Sequence, residues 1–180
     1  MTFIGEIEMK GLKGLASVIV LLGLTVCAPH ANAENKSQIE RFQVESTIKS
    51  NSSTRGNDNT KGNLERGFNL IKSEDYRGAI QAFNQVIQGE SNNQYAYFGR
   101  GVANFQLENY QQAKVDLDKS ISLDSSIAYA YLVRGMTHHV LGSKTDAISD
   151  LQTAANLFEK EGEKEMAQKS LNMIEKIRNA

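Results

Sequence analysis

Two histidines stand side by side at His138 and His139, the only adjacent pair of strong metal-binding side chains in the sequence. Neighbours on a helix point about 100° apart, so the two cannot easily close on one ion. His138 falls on a packing position of the pattern described below and is expected to be a structural histidine with its hydrogen bonds satisfied. Glu159, Glu161, Glu163 and Glu165 cluster near a helix junction, where solvated surface is expected rather than an acid–base pair. Serines are plentiful, but no Ser, His and acid fall into a nucleophile motif. Phosphate-cradling glycine loops are missing, and "GEKEMAQKS" lacks Walker spacing. Cys27 is the only cysteine, which excludes an intrachain disulfide and a thiolate metal cluster. The sequence thus offers no catalytic residue, no metal site and no cofactor site, and a non-enzymatic protein is expected. One column remains: Arg66, Arg100 and Arg134. A ladder of guanidinium groups could hold an anionic ligand. The expected alternative is that each Arg lies along the chain and pairs with a neighbouring Asp or Glu.

Twenty Lys and Arg balance 21 Asp and Glu over 180 residues, for a formal net charge of −1. No basic patch points to nucleic acid and no pocket motif points to a small-molecule substrate. Pro29 is the only proline and tryptophan is absent, while Ala, Gln, Leu, Glu and Lys abound, a balance that favours helix over strand.

The first 33 residues read as an address. From Met9, a possible true start, Lys10 and Lys13 precede a mostly apolar run over 14–28, and Ala31-Asn32-Ala33 offers small residues where a signal peptidase cuts. Residues 1–33 are therefore expected to be an export signal cleaved before Glu34, which sends the chain to a periplasm, a lumen or the exterior. The apolar run falls short of the roughly 20 residues that span a bilayer. Two alternatives stay open: an uncleaved anchor through residues 10–28, and acylation of Cys27 in "LTVC", where Val26 stands at the place of a small residue. Only these would bring the chain to a membrane. Residues 34–60 are polar and are expected to be a linker, since "SNSSTRGNDNT" has too little apolar surface to offset chain entropy. Within it "IERFQVESTI", 39–48, places Ile39, Phe42 and Ile48 with weak helical spacing, so it either docks on another surface or belongs to the tether.

From residue 60 the chain repeats with a step of 34 residues. Gly67, Gly101 and Gly135 form one column; Ala79, Ala113 and Ala147 a second; Phe83, Leu117 and Leu151 a third. Asp75, Asn109 and Ser143 form a fourth, of residue types that cap helix N-termini. Each cap falls where one helical pattern ends and another begins, so each unit is helix, tight turn, helix. A glycine inside a helix costs about 1 kcal/mol relative to alanine. Its recurrence twelve residues before the alanine predicts that the two face each other across an antiparallel pair, hydrogen against methyl, and let the axes approach closely.

This pattern resembles the tetratricopeptide repeat (TPR) family over about residues 60–161. The family's small eighth residue matches the glycine column, its alanine at twenty the alanine column, and its large residue at twenty-four Phe83, Leu117 and Leu151. The small residue at twenty-seven is met by Ser120 and Ala154, more loosely by Val86, and the aromatic at four by Tyr97 and Tyr131. Departures are Asn63 at four, arginine at seven, Leu70, Asn104 and His138 at eleven, and Ser91 and Ser125 in place of a proline. The resemblance implies an all-α fold, a right-handed α-α superhelix of three hairpins at about 60–93, 94–127 and 128–161. Residues 162–180, with Met166, Ser170, Met173, Ile174 and Ile177 on one stripe, are expected to close it as a capping helix. The style of the repeats is similar to that of exported cyanobacterial TPR proteins. The resemblance further implies a concave groove lined by Leu64, Phe68 and Ile71, then Tyr95, Phe98, Val102 and Phe105, then Tyr129, Leu132, Met136 and His139. Such an apolar, aromatic face suits a helix or extended segment of a protein or peptide partner. At the places of the family's two-carboxylate clamp stand Leu64, Phe68, Gly99, Tyr129 and Val133, so binding of an acidic chaperone tail is not expected.

Overall fold

The computed structural model describes residues 57–179. Seven helices fill them: α1 (Asn57–Lys72), α2 (Tyr76–Gly89), α3 (Gln94–Gln106), α4 (Tyr110–Leu123), α5 (Ala128–Val140), α6 (Lys144–Glu161) and α7 (Lys164–Asn179). No strand occurs among the described residues, and no described helix is long and apolar enough to cross a membrane. Helices α1 and α2, α3 and α4, and α5 and α6 pack as hairpins, each hairpin packs on the next, and α7 closes the stack against α6. The address sequence, Cys27 and most of the linker expected at 34–60 lie outside the described residues. The last four positions of that linker, however, are the first turn of α1. Thr60 is buried there, its hydroxyl against the backbone at Gly89 on α2, so the hairpin captures this polar turn.

The turn inside each hairpin has one shape. Asp75, Asn109 and Ser143 are the N-caps of α2, α4 and α6. Only Asp75 caps through its side chain, accepting from the Gly78 amide at 2.9 Å; Asn109 and Ser143 make no such bond. Just before each cap the backbone enters the left-handed region, at Glu74 (φ 62°), Glu108 (φ 62°) and Gly142 (φ 83°). Two of the three turns thus hold a strained residue where glycine is at ease. Between hairpins, Asn93 caps α3 by accepting from the Ala96 amide at 3.0 Å.

The glycine column sits where two helices leave no room. A β-carbon on Gly101 would stand 2.9 Å from Cγ of Leu117, and one on Gly135 would stand 3.0 Å from Cγ of Leu151. At Gly67 it would enter the ring of Phe83, at 2.6 Å. The expected hydrogen-to-methyl facing is corrected here. The side chain over each glycine is the large residue of the third column, while Ala113 and Ala147 bring their carbonyl oxygens, 3.4 and 3.1 Å from the same point. Ala and the large residue lie four apart on one helix face, so the alanine admits the neighbouring backbone and the large side chain fills the gap beside it. Phe83 is bigger than Leu117 and Leu151, and its ring also occupies the space over Gly99.

The arginine column holds neighbouring units together. Arg100 donates through Nε and Nη2 to the two oxygens of Asp116, at 3.0 and 2.6 Å, and through Nη1 to Asn84 of the preceding hairpin at 2.6 Å. Arg134 repeats this on Asp150, at 2.7 and 2.7 Å, and reaches back to Asp118 at 2.8 Å. The guanidinium groups lie over Tyr97 and Tyr131, at 5.5 and 5.4 Å from the ring centres. In the first unit the corresponding places hold Asn63 and Ala82, and Arg66 is exposed. The pairing expected for the column is therefore present at Arg100 and Arg134, where it engages all three nitrogens of each guanidinium. The hydrogen bond that Arg134 donates to Asp150 raises the Arg134 pKa further above its usual value. Burial pushes the Asp118 carboxyl up, but hydrogen bonds and charge from Lys114 and Arg134 outweigh it and leave that carboxyl below its usual range.

Gly101→Leu is expected to lose about 2–3 kcal/mol or more through overpacking, whereas Gly62→Ala, with nothing within 4 Å on exposed α1, is expected to gain about 0.5–1 kcal/mol; urea unfolding measures both. Asp150→Ala, which leaves Arg134 without its bidentate partner, should lose about 2–3 kcal/mol and Asp118→Ala under about 1 kcal/mol. The Asp118 contribution is complete above about pH 4 and fades as pH falls through its lower folded pKa, so Asp118→Asn should flatten the acid limb of the stability profile.

Candidate functional site

The first helix of each hairpin, α1, α3 and α5, carries the row assigned to a groove. Leu64, Phe68, Tyr95, Phe98, Val102, Phe105, Leu132 and Met136 are all buried, as is Ile71; Tyr129 and His139 are partly exposed. The row is continuous in space. The rings of Phe68 and Phe98 on neighbouring first helices lie 6.5 Å apart, and Phe68 also meets Phe83 edge-on at 5.1 Å. Phe105 meets Tyr110 edge-on at 5.4 Å. Tyr129 packs its edge against Phe158 of α6 at 4.9 Å. These residues therefore also hold the hairpins together, through the buried apolar area and ring geometry that stabilise any core.

Spacing explains the row. Positions 64, 68 and 71, and 95, 98, 102 and 105, recur every three or four residues and so share one side of their helices. The opposite sides of α3 and α5 carry the glycine and arginine columns that meet the second helices. At one end of the row stands Tyr129, in the first turn of α5. Burial raises its hydroxyl pKa, and so do the charges of Glu163, Glu161 and Glu165 at the junction of α6 and α7. An apolar row thus ends in an acidic rim. Glu165 on that rim is paired with Lys169 one turn along α7.

At the other end of α5 the histidine pair divides as its helical spacing requires. His139 belongs to the row. His138 turns to α6, with Nε2 3.7 Å from Asp150 and Nδ1 3.9 Å from Asp146. The expected full satisfaction of His138 is not met: its buried Nδ1 has no hydrogen-bond partner. Asp146 is too far away for one, and Arg134 already occupies the Asp150 carboxylate. Among the described residues no three His, Cys, Asp or Glu side chains stand together in a way that would hold a metal ion.

The family model of the tetratricopeptide repeat matches residues 95–127, the α3–α4 hairpin and the turn after it. No curated protein matches the sequence. Several solved structures are similar in fold. The TPR2B-domain:pHsp70 complex of yeast Sti1 is 17% identical over 67% of this chain and 97% of that one, with a TM-score of 0.63. The type III secretion translocator chaperone SycD of Yersinia enterocolitica is 17% identical over 83% of this chain and 94% of its own, at a TM-score of 0.65. The second TPR domain of human RPAP3, in complex with the HSP70 peptide SGPTIEEVD, is 25% identical over 67% of this chain and 98% of its own, at 0.59. Residues 95–127 are thus a tetratricopeptide repeat, set in a stack of hairpins that has the fold of tetratricopeptide domains.

Proposed function

We propose that this chain is an exported, non-enzymatic interaction module, an adaptor or assembly factor whose concave side takes a helix or an extended segment of a protein partner. The observation that carries the reading is the unbroken apolar and aromatic row across α1, α3 and α5, with Tyr129 and His139 partly open at its edges. TPR structures of like fold are described with peptides bound, HSP70 and HSP90 peptides among them. The partner here differs in chemistry from those tails. SGPTIEEVD and SRMEEVD both carry two acidic residues before a final valine and aspartate. Leu64, Phe68, Gly99, Tyr129 and Val133 stand where a carboxylate clamp would need cationic and amide groups, and the rim of the row is itself acidic. A partner with an apolar face and a basic flank fits. Export rests on the sequence of residues 9–33 alone, and an intact mass that begins at Glu34 is its test.

A photo-crosslinking residue placed at His139 or Tyr129 is expected to trap a discrete protein partner in the native cell. The same residue at Val115, which is 61% exposed on α4, should trap none. Tyr129→Lys should weaken that partner at least tenfold, about 1.4 kcal/mol, without unfolding the stack. Equal trapping from all three positions would remove the groove as the binding surface.

A further inference from the structure

The two seams between hairpins differ. Helices α4 and α5 pack more lightly on each other than α2 and α3 do, whereas α6 and α7 pack as closely as partners within a hairpin. At the first seam the Phe83 ring of α2 lies over Gly99 of α3, and the rings of Phe68 and Phe98 meet across it at 6.5 Å. One repeat later, Leu117 and Val133 take the places of Phe83 and Gly99, so no ring is seated there. Ser120 takes the place of Val86. It is fully buried and its hydroxyl has no hydrogen-bond partner, a cost to the packing of α4. The buried residues of α4 thus include Asp116 and Ser120, where those of α2 are all apolar. Asn93 caps α3 through its side chain, and Ile127, at the same place before α5, cannot.

The polar tie across the second seam is ionic. Arg134 on α5 donates to Asp118 on α4 at 2.8 Å, and Lys114 donates to the same carboxylate at 2.8 Å. The Asp118 side chain is 40% exposed, so water and salt reach this pair. Arg134 is meanwhile held from its own hairpin by both oxygens of Asp150. When the seam moves, Arg134 stays with Asp150, and its bond to Asp118 is the one that lengthens. In an array held by nearest-neighbour contacts, motion concentrates where those contacts are lightest, and packed helices move by small sliding steps.

We propose that the stack consists of two blocks, α1–α4 and α5–α7, that shear against each other at the α4–α5 seam, with Arg134 and Asp118 as the latch. The apolar row crosses this seam between α3 and α5. Leu132 and Met136 therefore shift relative to Phe98 and Val102 as the latch opens and closes, and the span of the concave side is adjusted at one place. The seam does not depend on whether the row takes a partner.

Gln81, Val115 and Ser149 occupy the same place in successive units and are exposed on α2, α4 and α6. In the full chain with Cys27→Ser, spin labels on Gln81→Cys and Val115→Cys straddle the first seam. Labels on Val115→Cys and Ser149→Cys straddle the second. Pulsed electron–electron double resonance reads the distance distribution of each pair, and the second should be the broader. Asp118→Asn should broaden the second pair further and leave the first as it was, and high salt should do the same without any change at Asp118. In the unlabelled chain, Asp118→Asn should speed amide exchange in α5 by about two- to fivefold, with α1 unchanged. Equal widths for the two pairs, a like response of both pairs to salt, or no response at the second pair and in α5 overturns the two-block reading. No partner enters these measurements, so their outcome is separate from that of crosslinking at Tyr129 and His139.

Discussion

At Gly67, Gly101 and Gly135 there is no space for a β-carbon, and the shape of each hairpin follows from that. The backbone of the first helix lies against the large residue of the second, and nothing bulkier than hydrogen fits between them. The propensity lost by a helical glycine is about 1 kcal/mol. A large side chain buried against that glycine returns about 1.5–3 kcal/mol. The exchange is favourable once per unit, and it fixes the axial register of the two helices as well as their distance. Where the large residue grows to Phe83, a second glycine, Gly99, appears on the neighbouring helix to receive the ring. Two glycines around one phenylalanine show the same constraint acting between units as well as within them.

The arginine column does for the order of the units what the glycines do for each hairpin. Asp116 and Asp150 orient Arg100 and Arg134 within a unit, and the remaining nitrogen reaches Asn84 or Asp118 in the unit before. Tyr97 and Tyr131 cover the guanidinium planes. Tyrosine, arginine and aspartate therefore work as one group, which explains why the first unit departs at two of its positions together. With Ala82 in the carboxylate place and Asn63 in the aromatic place, Arg66 is left at the surface.

Much of this was legible in the sequence, because side chains that meet across a helix pair must recur in phase with the repeat. The glycine, alanine and large columns gave the hairpins, the N-caps gave the turns, and the amphipathic stripe of 166–177 gave α7. Three details were not legible, each for a physical reason. Which of two residues four apart covers a glycine depends on side-chain reach, so Leu117 rather than Ala113 meets Gly101. A cap residue type marks a helix start without fixing whether its side chain bonds, and of the three only Asp75 does. The left-handed turn before each cap accepts Glu74 and Glu108 as well as Gly142, so no glycine column marked it. For the groove row, spacing located the side of each helix, but it could not distinguish residues open to a partner from residues already buried, because the same apolar types serve both.

The bare Arg66 gives the stack a direction. Each unit after the first is latched to its predecessor by a guanidinium, Arg100 to Asn84 and Arg134 to Asp118, while Arg66 on α1 is exposed. In a linear array, opening begins where the nearest-neighbour coupling is weakest. Among the described contacts the guanidinium latch on the first hairpin is the bond from Arg100 to Asn84, so loosening of that hairpin from the stack must break it. Whatever strips α1 away also removes Leu64, Phe68 and Ile71 from the apolar row, so mechanical or thermal loosening at that end would erase the first third of the proposed recognition surface.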